Sequence, residues 1–104
     1  MEQLNKVELR GIVGNAKSQS VGDCSVTRFS VATDHIYKSR SGMPVVETTW
    51  HNCTAWSNTI PDATKLERGN GVHLTGRLRM QRYTGADGSE RTATEILVQS
   101  LEIL

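Results

Sequence analysis

The chain is poor in the residues that large cores are made from. Its 104 residues include one phenylalanine, two tyrosines and two tryptophans, and only 37% of the sequence is hydrophobic. That limits it to one domain, residues 1–104, with a modest single core, and makes self-association a reasonable expectation. Cysteine is scarce too. Cys24 and Cys53 are the only two, lie far outside a C-x-x-C spacing and have no histidine cluster around them, so neither a metal nor another cofactor is expected. Their number alone leaves a disulfide open, but the opening MEQLNKVELR has no apolar leader core, which points to reduced thiols in a cytoplasm. No run approaches the roughly eighteen apolar residues of a membrane span. Neither sign of charge dominates, and the net charge of +1 leaves room for a site that is locally basic and globally cancelled. Repeats, low-complexity tracts and linkers are absent. The expectation is a soluble, intracellular domain.

What is present is concentrated. The run Thr48 to Trp56, TTWHNCTAW, holds both tryptophans among β-branched and small residues and reads as a strand. On a strand Trp50 and Trp56 point the same way, with Asn52 and Thr54 between them, about 20 Å apart at roughly 3.3 Å per residue. The other face carries Thr49, His51, Cys53 and Ala55. Large aromatics normally go inside, and an outward row of them marks a binding surface. From this segment alone both orientations are open.

Along the chain, Asn5 to Val13 forms a first strand with a bulge or bend at Gly11, and polar Asn15 to Asp23 reads as a loop. Ser25 to Thr33 makes a second strand with Phe29 as core anchor. His35 to Pro44, with its Ser41-Gly42 turn signal and a basic, aromatic tip, reads as a long hairpin loop. The tryptophan strand follows from Val45 to Trp56. Ser57 to Gly71 breaks the pattern, and there Asn58 or Thr59 can cap a short helix with Pro61 in its first turn and Gly69 at its end. Val72 to Tyr83 alternates cleanly. Val72, Leu74, Leu78 and Met80 form a core side, and His73, Thr75, Arg77, Arg79, Gln81 and Tyr83 the other. From Lys65 to Arg82 five basic residues face one acid, Glu67. After a turn at Asp87-Gly88, a fifth strand runs from Arg91 to Leu101. Five strands with one short helix between the third and fourth predict an all-β, five-stranded Greek-key OB barrel.

On these residues the chain resembles the bacterial single-stranded DNA-binding (SSB) proteins. NKVELRGIVG is similar to the family's first strand, FSVATD to its second, TTWHNCTAW to its third, and GVHLTGRLRMQRY with the Gly-rich turn to its fourth strand and finger. The Trp50-His51 pair and the G-x-L-x-x-x-x-aromatic run from Gly76 to Tyr83 are the specific parts. The resemblance implies sequence-independent single-stranded DNA binding that protects the strand in replication, recombination and repair. Bases would stack on Tyr37, Trp50, Trp56 and Tyr83, and phosphates would be followed by Lys38, Arg40, Arg77 and Arg79. Tyrosines at two positions where the family often has tryptophan keep a π face with less area. Arg82, on the opposite strand face, is a weaker candidate, and Lys6, Arg10, Lys17, Lys65 and Arg68 read as surface-solvating. The family resemblance also implies a homotetramer, with a dimer as the alternative, in a cytoplasmic, nucleoid-associated setting. Without the acidic tail common in the family, it implies no tail-mediated protein partners.

Two other readings compete. A primosomal accessory protein for replication restart is a tail-less OB dimer of similar length, but resembles this chain less in the aromatics. An enzyme would need more than Asp34 beside His35, since no nucleophile motif, carboxylate pair or metal-ligand set accompanies them.

Overall fold

A computed structural model describes residues 1–104 as β1 (Val7–Val21), β2 (Cys24–Lys38), β3 (Pro44–Trp56), a 3-10 turn (Pro61–Lys65), β4 (Gly71–Thr84) and β5 (Glu90–Ile103). The strands close into a barrel in the order β1-β2-β3-β5-β4. Neighbours are antiparallel, apart from a short parallel contact in which Cys53 faces Ile96 and Thr54 faces Leu97. This is the five-stranded OB barrel.

The core follows from strand alternation. Phe29 and Val31 of β2, Cys53 and Ala55 of β3, Val72 and Leu74 of β4, Ile96 and Val98 of β5 and Val13 of β1 all point inward, while Ile60, Ala63 and Leu66, in and beside the 3-10 turn, plug one end. Phe29 is the only aromatic residue among the buried ones. On β3 the inward positions are the small ones, so the tryptophans lie on the outer face. Trp50 is 59% exposed, and Trp56 is half-buried.

Several expected boundaries shift, for one physical reason: the antiparallel ladders run on past the barrel. The segment expected as a loop at His35 to Pro44 narrows to the turn at residues 39–43, with β2 and β3 paired as far as Lys38 and Pro44. Likewise the polar stretch Asn15 to Asp23 is no loop, because β1 pairs with β2 up to Val21 opposite Cys24 and turns at Gly22, whose φ is 61°. Both faces of such hairpins meet water, so no apolar alternation is needed to form them. The same extension removes Leu78 and Met80 from the core where alternation had placed them. They continue the inward face of β4, but nothing covers it there, and they are 48% and 72% exposed. Projecting hairpins also account for a radius of gyration of 16.1 Å and a longest extent of 55 Å, against the roughly 13 Å radius of a compact 100-residue domain. Nor does Asn58 or Thr59 cap the helical turn. Ile60 occupies that position without a side-chain cap, and the turn stops at Lys65, before Gly69, as Leu66 becomes extended.

The irregularity expected at Gly11 falls three residues later, where the β1-β2 register shifts between Val13 and Ala16, and Gly11 itself lies in regular strand. Beside it β1 leaves β4 and joins β2, with Ile12 paired to both Gly71 and Ala32. A Cβ on Gly11 would lie 2.2 Å from the carbonyl oxygen of Ala32, a backbone atom that cannot step aside. Gly11→Ala therefore lowers stability by about 1–3 kcal/mol, as overpacking typically does, and denaturant unfolding of the folded variant measures it.

Both cysteines are free. Burial, with a smaller contribution from the Glu95 carboxylate, pushes the Cys53 thiol up to about 12. In the unfolded chain a thiol ionises near 8.5, so the folded state holds this proton more tightly. The resulting contribution to stability is complete below about pH 8.5 and is lost as pH rises toward 12. Replacing Cys53 with Ala should flatten the alkaline fall in melting temperature, which thermal melts across alkaline pH measure.

Candidate functional site

The outer face of β1, β2 and β3 carries a trough, and its geometry begins with small residues. Trp50 faces Ala32 on β2, and Gly14 follows on β1. Neither has a side chain long enough to lift the indole off the sheet. A Cβ on Gly14 would sit 2.3 Å from Cζ3 of Trp50, so the ring reaches across β2 and closes over the glycine. Asn15, Ser30 and Arg68 complete this hollow of about 300 Å³. Asn15 is fixed in it, since Ser30 Oγ donates to Asn15 Oδ1 at 2.7 Å and accepts from the Asn15 backbone N–H at 3.2 Å.

Two further hollows continue from it. One of about 550 Å³ shares Asn15 and is bordered by Lys17, Arg28, Asn52, Thr54 and Glu95. Another, about 160 Å³, shares Trp50, Asn52 and Glu95 and opens at the fork between the β2-β3 and β4-β5 hairpins, beside Leu78. Shared walls make them one path along the barrel.

Glu95 is the acid of this path, and it is neutralised. Arg79 bonds it through Nε at 2.9 Å and through Nη2, and Thr54 Oγ1 donates to its other oxygen at 2.6 Å. The carboxylate side chain is 12% exposed and the guanidinium 31%. Arg79, expected to follow phosphates, is therefore committed to holding a carboxylate. Arg77, exposed on the same face of β4, makes no ion pair.

The remaining expected residues are spread rather than clustered. Trp56 shares the outer face of β3 with Trp50, opposite Val26. Tyr83 is 49% exposed near the end of β4, on the strand face of Arg77 and Arg79. Tyr37 lies on the other face of the β2-β3 hairpin from Trp50, by the alternation of the paired register, and stacks on His35 with ring centroids 6.1 Å apart. Lys38 and Arg40 are exposed at that hairpin's tip. Asp34 and His35 do not pair with each other. Thr48 Oγ1 donates to Asp34 at 2.7 Å, while His35 faces Tyr37. His51 bonds Thr33 and His73 bonds Glu8, each at 2.8 Å.

Sequence reasoning passed over Asn15, Arg28, Asn52 and Arg68. Arg68 read as a solvating residue beside the helical turn, yet the chain returns to β1 there, with the Gly69 N–H donating to Val13 O at 2.8 Å, and this brings Arg68 to the Trp50 hollow. Only the strand register reveals that contact.

The barrel and its trough define an OB-fold protein with an open aromatic face. The profile described as the single-strand binding protein family matches residues 4–104, and the chain belongs to that family. It is 37% identical to a single-stranded DNA-binding protein of Neisseria meningitidis, over 97% of this chain and 60% of that protein. It is 28% identical to a mitochondrial single-stranded DNA-binding protein of Danio rerio over 99% of this chain and 77% of that one. Among solved structures, Plasmodium falciparum SSB in complex with ssDNA superposes with a TM-score of 0.87 at 26% identity, covering 100% of this chain and 97% of that one. The chain thus spans about three fifths of the length of its bacterial relative.

The Arg79-Glu95 arrangement makes a testable asymmetry. Arg79→Ala strands a mostly buried carboxylate and should cost about 1–3 kcal/mol, after allowance for the part-exposed guanidinium. In an Arg79→Ala/Glu95→Ala double variant the loss should be smaller than in Arg79→Ala alone, with a coupling of about 0.5–3 kcal/mol in urea unfolding.

Proposed function

We propose that this chain binds single-stranded DNA without sequence preference, by stacking bases on outward aromatics and neutralising phosphates with nearby cations. The observation that carries this reading is Trp50. A large indole left 59% exposed, seated over a glycine and flanked by Arg68 and fixed polar groups, forgoes a burial worth about 1.5–3 kcal/mol for a comparable side chain. Base stacking on such a ring contributes about 1–3 kcal/mol per base and tolerates any base. Support comes also from the superposition on a family member in complex with ssDNA. Trp56 and Tyr83 extend the stacking surface, Arg77 contributes charge, and Tyr37, Lys38 and Arg40 act from the far hairpin when it folds along the strand. Arg79 serves the surface by cancelling Glu95.

In this reading the protein is a binder and not an enzyme. It protects unpaired DNA during replication, recombination and repair in the bacterial cytoplasm, as a homotetramer. A small core, with 16 of 104 residues buried, and exposed apolar side chains on the barrel and hairpins, including Ile12, Leu78 and Met80, support self-association. Light scattering tests the assembly, for which four chains are expected.

Trp50→Ala should weaken binding to oligo-dT by about 5- to 150-fold, the equivalent of one lost stacking contact, with an unchanged melting temperature. Fluorescence anisotropy with labelled oligo-dT measures it. Unchanged affinity in the folded variant would remove the basis of the proposal, as would equal affinity for duplex DNA.

A further inference from the structure

We infer that Lys17 and Arg28 form a phosphate clasp between the two outward tryptophans, nearer Trp56, holding the backbone of the strand whose bases stack on either side. The inference rests on the single-strand binding reading above and adds to it two residues and a place.

Lys17 and Arg28 are direct partners across the β1-β2 ladder. Their Cβ atoms are therefore about 5 Å apart on one face, an arrangement in which like charges are unfavourable. Such a pair is usually relieved by a carboxylate, but none serves here. The chain's ion pairs are Lys65-Asp62, Arg79-Glu95 and Arg91-Asp87, Glu8 is hydrogen-bonded to His73, and the acid bordering the same hollow, Glu95, is engaged by Arg79 and Thr54. Two exposed cations are thus held together with no anion between them.

Their position then selects the anion. Arg28 lies opposite Thr54 on β3, two residues from Trp56 and four from Trp50 on the same outer face, or about 7 Å and 13 Å along the strand. The hollow beside them, about 550 Å³, also has Asn15 and Asn52 on its walls. A phosphodiester there, between two stacked bases, accepts charge-assisted hydrogen bonds from Arg28 and Lys17 and lifts the repulsion between them. An anion with no attached bases would gain nothing from the flanking indoles.

The test uses the full chain and labelled oligo-dT, titrated at several salt concentrations. Each phosphate contact adds about 0.7 to the slope of log K against log salt for single strands. A Lys17→Gln/Arg28→Gln variant should lose about 0.7 to 1.4 from the wild-type slope. Lys17→Glu should lose a similar amount, because the new carboxylate occupies Arg28 internally. Lys65→Gln, which removes a cation already paired with Asp62 on the 3-10 turn, should keep the wild-type slope. A purely structural role is excluded by thermal melts, since removing one of two like charges should leave the melting temperature of Lys17→Gln at or above wild type. Wild-type slopes in both the double variant and Lys17→Glu, with Trp50→Ala still weakened, overturn the clasp and leave the binding reading standing. Wild-type protein that binds no oligo-dT at any salt overturns both.

Discussion

The constraint on which the molecule depends is the narrowness of the barrel where β3 crosses it. Inward positions of β3 are Cys53 and Ala55, packed against Phe29, Ile96 and Val98 in a core with no second aromatic. An indole cannot enter there without displacing those neighbours, and overpacking costs about 1–3 kcal/mol. Because side chains alternate, fixing the small residues inward turns Trp50, Asn52, Thr54 and Trp56 outward together. One packing requirement therefore creates the face proposed to bind DNA. The aromatics are exposed because the barrel has no room for them, and Gly14 and Ala32 then let Trp50 settle against the sheet instead of waving in solvent.

A second consequence concerns shape. Hydrogen bonding between β2 and β3, and between β4 and β5, continues well beyond the last buried residue, so the ladders are sustained by backbone pairing and cross-strand contacts rather than by a core. These hairpins expose residues of both chemical kinds: Leu78 and Met80 on one face of β4, Arg77 and Tyr83 on the other. A surface of this sort extends the reach of a small domain. It can lie along a flexible polymer or against another copy of the chain.

The barrel was legible in the sequence because five segments with strand character, one helical interruption and a clear period of two leave few alternatives to a five-stranded closed sheet. The outward tryptophans were legible as a possibility from the smallness of Thr49, His51, Cys53 and Ala55. What could not be read was where burial stops along a strand whose alternation continues. Leu78 and Met80 keep the pattern of Val72 and Leu74, and only the end of the covering strands distinguishes them. The same limit applied to the site. Arg79 and Arg77 look equivalent in sequence, yet Arg79 stands opposite Glu95 in the ladder and Arg77 opposite Leu97, which gives one an ion pair and leaves the other free. Lys17 and Arg28 likewise acquire meaning only as partners, a relation set by the β1-β2 register.

An acid in the middle of a surface proposed to bind a polyanion needs a physical reason, and the Glu95 contacts supply one. Its carboxylate joins Thr54 on β3 to Arg79 on β4 from its own place on β5, where the only direct ladder between β3 and β5 is two residues long. Without this bridge the barrel's shortest seam, directly beneath the trough, would depend on two paired residues alone. Arg79 removes the electrostatic objection to the bridge. The trough thus uses one cation to hold its wall together and leaves the others, on the rungs to either side, available to a bound anion.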